Sequence, residues 1–117
     1  MRRLIPAIAF AIVACSESTA PPVGTPILPP SAYAAWWSQV EACSGTLGQF
    51  ELVRWYESPD GAFGPQVLGE WLPRHDVYLV TFVVSHQLEA TVKHEILHDL
   101  LHGDTDHLSP TWTICGL

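Results

Sequence analysis

The residues best suited to chemistry stand together as His94-Glu95-Ile96-Leu97-His98. Histidines four apart on a helix differ by about 40° in azimuth and about 6 Å along the axis, so both imidazoles lean to one side and can share one ion about 2.0 to 2.1 Å from each. Glu95 adjoins the first of them, near enough to take a proton from metal-bound water yet poorly aimed to ligate. Two neutral nitrogen ligands keep a zinc ion electrophilic, the metal lowers the pKa of its water toward about 7, and a carboxylate receives the proton. Zn2+ is therefore the expected cofactor, with His94 and His98 as ligands and Glu95 as general base. The alternative is a pair of hydrogen-bonded core histidines, and their spacing on one helix argues against it.

The helix that carries this motif is expected from about Gln87 to Leu101 or His102, capped by Ser85. Leu88, Val92, Ile96, Leu97, Leu100 and Leu101 cover much of its circumference, which predicts a helix sandwiched in the core. A third ligand has to come from beyond its end. His102 would lie about 12 Å along the axis from His94 if the helix continued, too far to share the ion. Gly103 is the nearby residue suited to a helix-ending left-handed turn, and ligands after that turn would be Asp106 or His107. His107 is preferred as a neutral nitrogen donor, with Ser109-Pro110 fixing the loop exit. Asp99 reads as exposed, or else as an outer partner for an imidazole.

His94-Glu95-Ile96-Leu97-His98 resembles the HExxH signature of zincin metallopeptidases, and the likeness covers about Val77 to His107. Metzincins extend it to HExxHxxGxxH or HExxHxxGxxD. Here Leu101 stands at the glycine position, while Asp104 falls at the last ligand and is the alternative third ligand. The resemblance implies a scissile carbonyl polarised by zinc, water delivered by Glu95, and a peptide or protein substrate laid along a strand at the cleft edge, which Val77 to Val84 could supply. Tyr78, His86 and His102 are unranked candidates for an oxyanion donor.

The elements around the motif predict an α+β fold: a minimal zincin-like domain over 31–117 with an N-terminal helix, a small, mostly antiparallel sheet and a buried HExxH helix. Ser31 can cap a helix through Tyr33, Trp36, Trp37, Val40 and Cys43, closed by Gly45 and Gly48. Gln49 to Glu57 reads as a strand and Ser58-Pro59-Asp60-Gly61 as a turn. Further strands are expected within Val67 to Leu72 and over Val77 to Val84, whose unbroken apolar character suggests burial on both faces. The five tryptophans are mostly core by default.

Before the domain, Met1-Arg2-Arg3 and the apolar run Leu4 to Ala14 form a charged head and short greasy middle, too short to span a bilayer. Ile12-Val13-Ala14-Cys15 resembles the lipobox of bacterial lipoproteins, which implies a signal peptide over 1–14, lipidation of Cys15 and a membrane anchor at the cell envelope. Residues 15–30 are rich in Pro, Ser and Thr and read as an extended tether. Removing the signal leaves about 100 residues, one modest domain and a monomer by expectation. Arg54, Arg74 and Lys93 then face 12 acidic residues, which argues against nucleic acid as a partner. With Cys15 lipidated in an oxidising compartment, Cys43 and Cys115 are expected to form a disulfide, two free thiols being the alternative.

Two functions compete on these residues. One is an envelope-anchored zinc metallopeptidase. The other is a non-catalytic zinc-binding lipoprotein acting as a binding module, which the small size favours. A purely structural metal has no need of a base beside its ligand, so Glu95 favours the peptidase.

Overall fold

The computed structural model describes residues 22–117. The expected signal peptide and Cys15, the expected lipidation site, lie outside the described residues, and no described helix is long and apolar enough to cross a membrane. The first helix, α1 (Ala32–Ser44), buries Tyr33, Trp37 and Val40 of the expected stripe, while Trp36 is half-buried and Cys43 lies at the surface. It ends where Gly45 turns left-handed at φ 69° and donates its N–H to the Glu41 carbonyl. Ser31 occupies the cap position, but its side chain makes no capping bond.

Strand β1 (Thr25–Ile27) lies within the segment expected as a tether, so the folded unit reaches back into it. Pro26 is tolerated there because β1 is an edge strand, where a missing N–H leaves no ladder bond unmade. Gly24 approaches the Tyr78 ring so closely that a Cβ would sit 2.9 Å from it.

After α1, Phe50–Leu52 forms a single 3-10 turn, and strand β2 spans Arg54–Ser58. The expected strand over Gln49 to Glu57 is therefore shortened. Phe50 leaves the extended path and its ring packs against those of Trp37 and Trp55. Strands β3 (Gly69–Leu72) and β4 (Asp76–Val80) complete a sheet ordered β1-β2-β4-β3. The sheet is mixed: β1–β2 and β3–β4 are antiparallel, in keeping with the expected mostly antiparallel character, and the central β2–β4 pair is parallel. The long 59–68 connection carries the chain past the β4 position to the far edge, and the β3–β4 hairpin then inserts β4 in the middle.

Val77 to Val84 is not one strand. Val80 pairs with the last residue of β2, Ser58, and beyond it no partner strand remains. The backbone satisfies itself instead in helix α2 (Thr81–His86), whose start is held by Thr81 Oγ1 donating to Ser58 O and Phe82 N–H donating to Asp60 Oδ1. Ser85 is thus inside α2 and caps nothing. Gln87 turns left-handed at φ 45°, and helix α3 (Glu89–Leu100) follows with Leu88 at its cap position.

Helix α3 is sandwiched between the sheet and α1, with Val92, Ile96, Leu97 and Leu100 buried against Trp37, Val40, Trp55, Val77 and Leu79. Burying each such side chain contributes about 1.5 to 3 kcal/mol, so the metal-motif helix belongs to the rigid centre of the molecule. A short last helix, α4 (Thr111–Cys115), packs on α1 and is joined to it by the Cys43–Cys115 disulfide.

Candidate metal centre

Both histidines of the motif project from α3 toward the same side, their ring centroids 4.9 Å apart. The helix ends at Leu100, and the left-handed turn falls one residue before Gly103. His102 takes the left-handed conformation at φ 53°, and the Gly103 N–H then donates to the His98 carbonyl at 3.1 Å. Glycine avoids the Cβ strain of this conformation, so His102 holds it at some energetic cost and Gly103 serves the wider turn at φ 141°.

Beyond the turn, the Asp104 carboxylate organises the loop. Oδ1 accepts the Leu108 N–H, and Oδ2 accepts the Ser109 N–H and the indole N–H of Trp112 at 2.7 Å. These bonds, the Ser109 one foremost and then the indole, hold its pKa below the usual carboxylate value. Asp104 is thereby engaged as a clasp, not grouped with the ligands. His107 is carried back over α3, its Nε2 3.1 Å from both His94 Nε2 and His98 Nε2.

The ligating atoms of His94, His98 and His107 all lie within 4.8 Å of one another, close enough to bind one metal ion. Asp106 does not join them. The donor set fits such an ion. His98 Nδ1 is 2.9 Å from the Gly103 carbonyl, which can only accept, so the proton sits on Nδ1 and Nε2 keeps its lone pair. Three neutral imidazoles cannot all satisfy one another, because His107 Nε2 can donate to only one neighbour, whereas a shared cation satisfies every lone pair. Ligands about 2.0 to 2.1 Å from a tetrahedral ion sit roughly 3.3 to 3.4 Å apart, close to the separations seen. Burial, with the charges of His98 and His107, brings the His94 pKa down to about 4, and burial also lowers that of His98.

Glu95 faces this cluster from the same helix and is only 5% exposed. Among the described residues its Oε2 has no hydrogen-bond partner. Burial first, and the Glu70 charge second, push its pKa up to about 8. A buried carboxylate oxygen left unpaired beside three clustered nitrogens marks a place for a cation or an activated water. Gly69 on β3 makes the room: a Cβ there would press on Glu95 Cγ and Oε1 at 3.1 Å.

A hollow of about 420 Å³ opens beside His94 and Glu95, walled by Val67, Leu68, Ala90 and Thr91. A second, of about 320 Å³, lies over all three imidazoles between Trp71 and Thr105. The strand along this cleft is β3. Val77 to Val84 cannot supply the edge, since β4 lies between β2 and β3.

Several supporting residues are not apparent from the sequence. Trp71 lies parallel to His98, with ring centroids 6.3 Å apart, and donates its indole N–H to Asp99. Asp99 is not exposed as expected. It is 3% accessible, and both its oxygens also lie 3.0 Å from His75 Nδ1. Trp112 is buried against all three ligand rings.

None of the oxyanion candidates stands at the metal cluster. Tyr78 is stacked on Tyr56, His86 Nδ1 is bonded to the Phe82 carbonyl, and His102 neighbours His75. No protein-family model, no curated protein and no solved structure matches this chain.

Proposed function

We propose that this protein is a zinc-dependent metallopeptidase anchored at the bacterial cell envelope through lipidated Cys15. The observation that carries the reading is the buried Glu95 carboxylate, whose Oε2 has no partner among the described residues, beside the His94, His98 and His107 nitrogens. Three imidazoles in a compact cluster suit zinc better than ions that prefer oxygen ligands. Zinc held there supplies an electrophile and makes water acidic near neutral pH.

The chain's own residues do the rest. Glu95, whose proton affinity burial raises, takes a proton from the attacking water and returns it to the leaving amine. Strand β3 borders the cleft at the sheet edge. Leu68 O accepts the Val80 N–H, so alternation turns the Gly69 and Trp71 backbone groups outward, where an extended peptide can pair with them. The hollow beyond His94 and Glu95, walled by Val67, Leu68 and Ala90, suits an uncharged aliphatic side chain of that peptide.

The test compares native protein with Glu95→Gln on a mixed peptide library, alongside metal analysis. Equal zinc in both with cleavage by the native protein alone supports the peptidase. Equal zinc with no cleavage by either supports the non-catalytic zinc-binding module. Metabolic labelling with a radioactive fatty acid, lost in Cys15→Ser, tests the anchor.

A further inference from the structure

The ring centroids of His94, His98 and His107 are each 4.9 Å from the other two. Trp112 lies 4.6 Å from His94, 4.6 Å from His98 and 4.7 Å from His107. Four rings so spaced form a nearly regular tetrahedron, with the indole at the apex behind the imidazoles. Each imidazole leans on the same rigid surface, which limits the tilts that would spread the nitrogens apart.

The indole is itself fixed. Its residue is 5% exposed on α4, a helix tied covalently to α1 three residues later through Cys115. Its N–H donates to Asp104 Oδ2, and the same carboxylate takes the Leu108 and Ser109 amides that shape the His107 loop. One carboxylate thus sets both the third ligand's loop and the surface on which all three ligands rest.

Resting on the metal-centre reading above, we infer that Trp112, held by Asp104, is the positioning residue that preorganises the His94, His98 and His107 nitrogens for the ion. Partners that orient metal ligands typically change affinity by about 10- to 100-fold when removed, and ordering ligands beforehand removes a loss of freedom from the binding step.

The test uses the full-length protein, with Zn2+ affinity measured by chelator competition and Co2+ replacing zinc as a visible-absorption probe of ligand geometry. Trp112→Ala should bind Zn2+ about 10- to 100-fold more weakly and lose intensity in the Co2+ band, while Trp112→Phe, which restores a ring, recovers most of both. Asp104→Asn should fall between native and Trp112→Ala. Trp112→Ala that stays folded by circular dichroism, with native affinity and an unchanged Co2+ spectrum, overturns the inference. If that variant does not fold, Trp112→Leu and Asp104→Asn decide on the same readouts, and native values in both overturn it. Native protein that takes up no Zn2+ removes the metal centre itself and this role with it. Absence of peptidase activity in protein that binds zinc bears on the proposed reaction alone.

Discussion

His98 gives its Nδ1 proton to the Gly103 carbonyl 2.9 Å away, so the turn that ends the metal-motif helix also decides which nitrogen of its second histidine is free. An alternating set of tautomers would leave the cluster unable to bind; this bond removes one of the choices.

Each nitrogen of the cluster has the same standing, so His94→Ala, His98→Ala and His107→Ala should each weaken Zn2+ binding by roughly 100-fold or more, beyond what loss of an outer partner does. Elemental analysis after dialysis reads this directly. Asp106→Ala, outside the ligand group, should leave metal content at the native level.

Glu95→Gln replaces a buried acid, whose pKa burial pushes up to about 8, with a neutral amide of the same shape. The metal-free variant should melt several degrees higher than metal-free native protein at neutral pH, because folding no longer has to force a proton onto an acid that the unfolded chain keeps ionised. Scanning calorimetry in chelator is the measurement, and an unchanged or lower melting temperature contradicts the account.

Asp99 is buried and holds two donors, one from β3 and one from the β3–β4 hairpin. Asp99→Ala strands both the Trp71 indole N–H and His75 Nδ1, and should destabilise the fold by about 3 kcal/mol. Urea unfolding gives the value. A loss below about 1 kcal/mol would mean water replaces the carboxylate.

Tyr33 supplies a pH dependence. It is fully buried, its hydroxyl has no partner among the described residues, and burial, then the Glu57 charge, pushes its pKa up to about 12. The unfolded chain releases this proton near pH 10, so the folded state binds it more tightly. Stability from this group is complete below about pH 10 and falls by about 2 to 3 kcal/mol as pH rises toward 12. Tyr33→Phe should remove that part of the alkaline loss in urea midpoints compared at about pH 8 and about pH 11.

Reduction of Cys43–Cys115, or the double substitution to serine, should destabilise the protein by about 2 to 4 kcal/mol. The released α4 carries Trp112, so Zn2+ affinity measured in reductant should fall as well.

The metal motif was legible because its information is local: two histidines one turn apart on an apolar helix define a direction without knowledge of the rest of the fold. His107 was legible for a related reason, being a neutral nitrogen donor just past a forced turn. The burial of Asp99 was not, because it depends on Trp71 and His75, which approach from another part of the sheet. Trp112 reads as ordinary core until its position behind three imidazoles is seen. The α2 segment reads as strand in the sequence because Val77 to Val84 is almost continuously apolar, and only the end of β2 at Ser58 determines where extended pairing must stop. The same limit applied to β3, whose place at the sheet edge follows from crossover topology and not from its composition.

The covalent link between Cys43 and Cys115 spans a sequence separation of 72 and closes a ring around β2, β3, β4, α2 and α3. A single backbone cut anywhere inside that ring opens it without releasing a fragment. A chain nicked there by a protease therefore keeps its full mass on a non-reducing gel and divides into two bands only after thiol treatment.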